Sequence, residues 1–207
     1  MYKFNWELTD SNQNKRPARI LYLMSGSIAC FKSCQVISQL VQAGCEVQIV
    51  ATKNTFEFVG QATLEGLTGK TAINDLFENG KMMDHIHLQR WADLIILAPA
   101  TANMINKFSS GICDDLVSTL FMAHDFKKPF LVAPAMNHAM FDHPITQSNL
   151  FKLQQIGIVM IHPENGSLAC GESGSGRLAN PEVILQHLHA HLHFGYQSAN
   201  KNQGLLT

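Results

Sequence analysis

Short, near-continuous apolar runs alternate along this chain with longer stretches of helical periodicity. Ile20-Leu21-Tyr22-Leu23-Met24, Val47-Gln48-Ile49-Val50-Ala51, Leu94-Ile95-Ile96-Leu97-Ala98 and Phe130-Leu131-Val132-Ala133 each predict a buried strand, and Gly157-Ile158-Val159-Met160-Ile161 predicts a fifth. Between the first two, Ile28, Phe31, Ile37, Leu40 and Val41 trace one face of a helix that Gly44 ends. A last helix is expected from Pro181 to Leu192, with Pro181 in its first turn. Strands that are apolar on both faces and separated by helices predict a parallel sheet covered on both sides. The expected fold class is therefore α/β: a three-layer α/β/α sandwich with a doubly wound, flavodoxin- or Rossmann-like parallel sheet. The pattern bounds one domain over residues 19–194. A flexible arm is expected over residues 1–18 and a frayed tail over residues 195–207.

A polar or small-residue turn follows each of the first four strands: Ser25-Gly26-Ser27, Thr52-Lys53-Asn54, Pro99-Ala100-Thr101-Ala102-Asn103 and Pro134-Ala135-Met136-Asn137. All four lie at the carboxyl edge of the sheet, where open α/β sheets bind ligands. The backbone N–H groups and hydroxyls of Ser25 to Ser27 suit an anion at a helix N-terminus. The plainer reading of this turn is an N-cap at Ser25 or Ser27. The loop is neither G-x-G-x-x-G nor a Walker A loop, which disfavours a dinucleotide or nucleoside triphosphate. Hydroxyl or amide loops around one crevice favour a phosphate and polar ring edges, as in a mononucleotide such as FMN. Asn137 ends its turn with an amide offering two donors and one acceptor on a rigid mount.

Composition narrows the class. The chain has 207 residues, 46% apolar and 15% charged, which supports one globular core. A formal net charge of -1 provides no long-range attraction for nucleic acid or an anionic membrane. No apolar run approaches the roughly 20 residues that span a bilayer. Met1 to Arg19 is polar, so no signal peptide is expected. The five cysteines include no C-x-x-C pair, which argues for reduced thiols in a cytoplasm and against a zinc site.

Three further segments carry candidate chemistry. His85-Ile86-His87-Leu88 precedes Trp91-Ala92-Asp93; residues i and i+2 do not share a helix face, so one histidine can face the crevice while the other faces solvent. Asp114-Asp115 reads best as a cap on the helix from Leu116 to Met122. Residues 166–177 hold four glycines and Cys170 in a stretch that reads as too flexible for a regular element, a lid or binding loop. Cys170 there is a candidate proton donor or nucleophile.

Together these segments resemble the homo-oligomeric flavin-containing cysteine decarboxylases, over roughly residues 19–184. Five motifs carry the resemblance in order: Ser25-Gly26-Ser27-Ile28, His85 to Asp93, Ala98 to Asn103, Pro134 to Asn137, and Ala169 to Arg177. The resemblance implies FMN as the cofactor. Its contacts would be Gly26, Ser27, Ile28, Thr52, Lys53, Asn54, Thr101, Ala102, Asn103, Met104 and Ala135. Asn54 and Met104 stand where relatives often carry a hydroxyl residue. His85 matches the active-site histidine and His87 a variable position. Asn137, with Met136, matches the substrate-binding turn, and Cys170 the proton donor of the lid. No metal is expected. The implied reaction is FMN-dependent decarboxylation of 4'-phosphopantothenoylcysteine to 4'-phosphopantetheine in coenzyme A biosynthesis. The implied assembly is a cytoplasmic homo-oligomer, trimer or dodecamer, with FMN at the subunit interface. The chain would act alone or as the decarboxylase half of a bifunctional protein. Three alternatives stay open. A peptidyl-cysteine oxidative decarboxylase of lantibiotic maturation stops at the enethiol, and the Cys170 lid argues against it because re-reduction needs a proton donor. A flavin prenyltransferase would carry a different first loop and no Ala-Cys-Gly lid. A non-enzymatic flavoprotein that inhibits a phosphatase would carry long acidic tails.

Overall fold

The computed structural model describes residues 4–10, 13–75, 84–167 and 173–203. The elements in chain order are β1 (Glu7–Thr9), β2 (Lys15–Pro17), β3 (Arg19–Met24), α1 (Cys30–Gln42), β4 (Glu46–Ala51), a 3-10 turn (Lys53–Glu57), α2 (Gln61–Thr68), α3 (Asp84–Trp91), β5 (Leu94–Ala100), α4 (Ala102–Ser110), α5 (Leu116–Met122), β6 (Phe130–Pro134), α6 (His138–Phe141), α7 (Pro144–Gln155), β7 (Val159–Met160), β8 (Glu164–Ser167), β9 (Ser173–Arg177) and α8 (Pro181–Gln203).

The central sheet has five strands in the order β4-β3-β5-β6-β7, all paired in parallel. From β3 the chain moves outward to β4, then returns to the other side of β3 to lay down β5. That reversal is the switch point of a flavodoxin-like sheet, and it opens a crevice at the carboxyl ends of β3 and β5. The alternation of side chains shows why the strands read as unbroken apolar runs. Ile20, Tyr22 and Met24 of β3 face one core, with Ile96 and Ala98 of β5 and Leu131 and Ala133 of β6. Leu21, Leu23, Ile95, Leu97, Phe130 and Val132 face the other. With both faces covered, every position of the central strands β5 and β6 is buried. The expected three-layer, doubly wound architecture is what the chain forms.

Several local expectations are corrected. In place of a loose arm, β1 and β2 pair as an antiparallel hairpin, and Trp6 and Leu8 are buried in the first core. Phe4 and Trp6 pack against the ring of His189 on α8, which ties the hairpin to the last helix. That helix continues beyond Leu192 to Gln203, into the residues expected as a frayed tail. In α1 the buried face runs through Cys30, Ser33, Val36, Ile37 and Leu40, while Phe31 is 57% exposed and Ile28, just before the helix, 60% exposed. Lys32 and Ser33 are buried because Lys32 Nζ donates to Leu178 O at 2.7 Å and Ser33 Oγ to Ala98 O at 3.0 Å. The glycine-rich stretch expected to lack structure contributes β8 and β9, which pair as an antiparallel hairpin. Among the described residues, no helix is long and apolar enough to cross a membrane.

Candidate active site

The four turns at the carboxyl edge are bonded into one unit by the strand ends that carry them. Ser25, expected at most as a helix cap, is buried and links the first turn to the third. Its N–H and Oγ–H both donate to Pro99 O, at 3.3 and 2.7 Å, and its Oγ accepts the Thr101 N–H at 3.0 Å. Helix α1 begins after Ala29 without a side-chain cap, and Ser27 Oγ instead accepts the Ala29 N–H. Met24 O accepts from Thr52 N at 2.9 Å and Thr55 Oγ at 3.1 Å, which joins the first turn to the second. Gly26 makes that junction tight: a Cβ at this position would stand 2.7 Å from Asn54 O and 2.8 Å from its carbonyl carbon. Only glycine lets the two loops meet this closely. Ala135 N donates to Ala100 O at 2.9 Å, joining the fourth turn to the third.

These turns enclose a cavity of about 660 Å³, within the range for small-molecule and cofactor sites. Gly26 and Ser27, residues 52–54, residues 101–104, and Ala135 with Met136 all line it. Ile28 and Asn137 are not among its lining residues: Ile28 points outward, and Asn137 follows Met136 directly. The side chain of His85, in the first turn of α3, lies outside the described residues, as does Cys170.

The donor set fits a flavin mononucleotide. Thr101 and Ala102 open helix α4, which has no side-chain cap, so its first N–H groups are presented where they line the cavity. The 3-10 turn that starts behind Thr52 is likewise uncapped by a side chain. Backbone N–H groups, the hydroxyls of Ser27, Thr52 and Thr101, and Lys53 suit a phosphate and ribose. Met104, buried beside Ala102, and Ala135 supply apolar surface for a ring.

Sequence reasoning missed part of the wall. After α2 the chain runs beside β4, with Ile73 N donating to Ile49 O and Ala51 N to Ile73 O, which brings Asn74 and Asp75 to the cavity. No local apolar pattern marks that return. Lys107, Asp114 and Asp115 also line it. Lys107 Nζ lies 2.5 Å from Asp114 Oδ1 and 2.7 Å from Asp115 Oδ2. Asp115 caps α5 through a reciprocal pair of bonds with Ser118, as the cap reading expected. Burial pushes the Asp115 pKa up, but the Lys107 and Ser118 bonds outweigh it and hold the carboxyl below its ordinary range. A depressed carboxylate pKa contributes stability above the unfolded pKa, and that contribution is lost as pH falls through the folded value. Asp115→Ala is therefore expected to lower the melting temperature by roughly 3–6 °C at neutral pH, from about 1–2 kcal/mol of lost cap and ion pair. The gap to the unsubstituted protein should narrow as pH falls below the ordinary carboxylate range. Thermal melts across pH check this, and a gap independent of pH contradicts it.

Helix α3, which carries His85, is fixed at its far end. Asp93 accepts both Arg16 nitrogens, at 2.7 and 2.6 Å, and the Arg19 N–H at 2.9 Å. Lys128 Nζ donates to Gln89 O and Ala92 O, and Gln89 Nε2 to Leu120 O. Asn137 Oδ1 accepts the Ala139 N–H at 2.8 Å and so caps α6. Its acceptor is committed to the protein, and the Nδ2 amide is the donor pole of the turn. Burial pushes the thiols of Cys30 and Cys34 up and that of Cys45 to about 12, which makes these three structural rather than reactive.

A flavodoxin-like switch-point crevice with this donor set defines a class, and sequence comparison agrees: a model of the Flavoprotein family matches residues 8–193, so the chain belongs to that family. Within it, the chain is 39% identical over 176 residues to a probable phosphopantothenoylcysteine decarboxylase of Arabidopsis thaliana, covering 82% of this chain and 86% of that protein. Its structure is similar to that of a PPC decarboxylase mutant complexed with pantothenoylaminoethenethiol, with a TM-score of 0.78, 34% identity, and 84% and 98% of the two chains covered. It is also similar to the FMN binding protein AtHal3, with a TM-score of 0.74, 33% identity, and coverage of 88% and 98%. The chain spans less than half the length of the coenzyme A biosynthesis bifunctional protein CoaBC of Bacillus subtilis (strain 168). That match is 41% identical over 187 residues, 89% of this chain and 45% of that protein. The resemblance to flavin-containing cysteine decarboxylases read from the motifs is borne out.

Proposed function

We propose that this protein is an FMN-dependent decarboxylase that converts 4'-phosphopantothenoylcysteine to 4'-phosphopantetheine. The observation that carries the reading is the meeting of all four strand-end turns at one 660 Å³ cavity in a chain that aligns along most of a phosphopantothenoylcysteine decarboxylase.

The chemistry explains why a flavin belongs here. An amino-acid carboxylate leaves reluctantly because the resulting carbanion has nowhere to delocalise. Bound FMN supplies a reversible two-electron sink that can make the adjacent carbon–sulfur centre an electron acceptor and later return the electrons. The chain's own residues do the rest. Gly26, Ser27, residues 52–54 and residues 101–104 hold the phosphate, ribose and ring. The Asn137 amide donates to the departing carboxylate, and Met136 lines the substrate side. A neutral donor suits this task, because a full cation would stabilise the ground-state carboxylate and oppose its loss. His85, at the start of the anchored helix α3, orients the reacting thiol end of the substrate. Cys170, between β8 and β9, returns a proton after CO2 has left. The exposed Ile28 and Phe31 beside the first turn support a homo-oligomer, trimer or dodecamer, in which a neighbouring subunit covers this edge of the FMN site. The four described cysteines are all free thiols, which supports a cytoplasmic setting.

Purified protein is expected to be yellow and to release FMN, identified chromatographically after denaturation. A colourless protein that cannot be reconstituted with FMN contradicts the reading.

A further inference from the structure

Strand β9 crosses the Asn137 turn at two glycines, Gly176 against the Met136 carbonyl and Gly174 against the His138 side chain. We propose that β9 sets the position of Asn137, and that Gly174 and Gly176 are positioning residues for substrate binding. The proposal rests on the role given to Asn137 above.

Helix α6 cannot orient Asn137 by itself. It is four residues long and buries none of them, far below the length at which a helix holds its own shape. Its placement comes from what it touches. On one side β6 delivers it, with Ala135 N bonded to Ala100 O. On the other side lies β9. Met136 N donates to Gly176 O at 2.9 Å, and Ser175 Oγ donates to Asp142 Oδ1 at 2.9 Å. A Cβ on Gly176 would lie 2.5 Å from Met136 O, and that residue has φ +114°. A Cβ on Gly174 would lie 2.7 Å from His138 Cβ. The contacts therefore fall on residues 136, 138 and 142, immediately on both sides of Asn137 and at the far end of α6.

The segment that directly follows β9 is itself held, by α1 and by β8. Lys32 Nζ, buried on α1, donates to Leu178 O, and Glu164 Oε1 accepts the Asn180 N–H at 3.0 Å. A continuous set of contacts thus runs from α1, beside the first cofactor turn, through β9 to the amide proposed to grip the carboxylate. The two glycines serve as spacers: they keep β9 close enough to fix the turn and bare enough not to displace it.

The test uses the FMN-loaded protein and 4'-phosphopantothenoylcysteine. Gly176→Ala is a poor probe, because its positive φ would strain the whole hairpin. Gly174→Ala forces His138 to give way, and KM is expected to rise about tenfold while FMN affinity stays within about twofold. Asn137→Ser keeps a cap on α6 but removes the amide. In that background Gly174→Ala is expected to add less than about twofold, since the group it positions is absent. Ser175→Ala, which removes only a hydroxyl, is expected to raise KM about two- to threefold without changing the FMN spectrum. If Asn137→Ser leaves KM unchanged, the substrate-grip reading falls and takes this proposal with it. If Asn137→Ser raises KM, but Gly174→Ala adds the same factor in both backgrounds or Ser175→Ala has no effect, the positioning role alone is overturned.

Discussion

Asn137→Asp is expected to abolish productive substrate binding while leaving the fold and the flavin in place. The substitution is informative because of what it preserves. Asn137 Oδ1 caps α6 by accepting the Ala139 N–H at 2.8 Å, and aspartate serves that role as well as asparagine does. The turn should therefore keep its shape. What changes is the other pole of the side chain: an amide donor becomes carboxylate oxygen. Facing a substrate carboxylate, the new charge replaces an attraction with a repulsion, and like-charge juxtaposition at a binding surface costs several kcal/mol. Roughly 3–4 kcal/mol corresponds to a rise in KM of about two to three orders of magnitude. Steady-state kinetics, with the flavin spectrum and circular dichroism as controls, measure this. A variant with wild-type KM removes Asn137 from contact with the carboxylate.

The second large effect is expected at Gly26. Alanine there would place a Cβ 2.7–2.8 Å from the Asn54 backbone. Because the obstacle is main chain, the two loops must separate rather than a side chain swing away. Overpacking of this kind costs about 1–3 kcal/mol. On the proposed placement of FMN the strain falls on two of the loops that hold it, so FMN affinity should drop roughly 10- to 100-fold. The sheet behind the loops is untouched, and the apoprotein should stay folded. Flavin titration of Gly26→Ala, followed by fluorescence quenching, reads this directly. Affinity equal to wild type would mean that the first and second turns do not jointly hold the cofactor.

The parts of this site that could be read in sequence are those built by contiguous residues. A strand buried on both faces is an unbroken apolar run, and the turn after it is punctuated by glycine, serine, threonine or asparagine. Four such run-and-turn units place four loops at one edge, and the motifs in them point to a flavin. Ser25 shows where that reading stops. Its residue type suggests a helix cap, but its partners, Pro99 and Thr101, are more than seventy residues away, and only the sheet brings them together. Lys32 and Ser33 look like solvent-facing positions on α1 and are buried because distant carbonyls accept from them. Phe31 looks like core and stands exposed. The N-terminal hairpin is illegible in sequence because its strands are three residues long and half their residues are charged, and Trp6 finds its cover on α8. The glycines of residues 166–177 read as flexibility. Gly174 and Gly176 are instead the absence of side chains where β9 meets the Asn137 turn.

The central claim is a net decarboxylation in which the two electrons removed from the substrate are returned. Mass spectrometry of the product formed from 4'-phosphopantothenoylcysteine by the FMN-loaded protein tests it most directly. The account predicts a product lighter than the substrate by CO2 alone, the saturated thiol 4'-phosphopantetheine. A product lighter by CO2 and a further H2, the enethiol of a purely oxidative decarboxylase, or unchanged substrate, would contradict it.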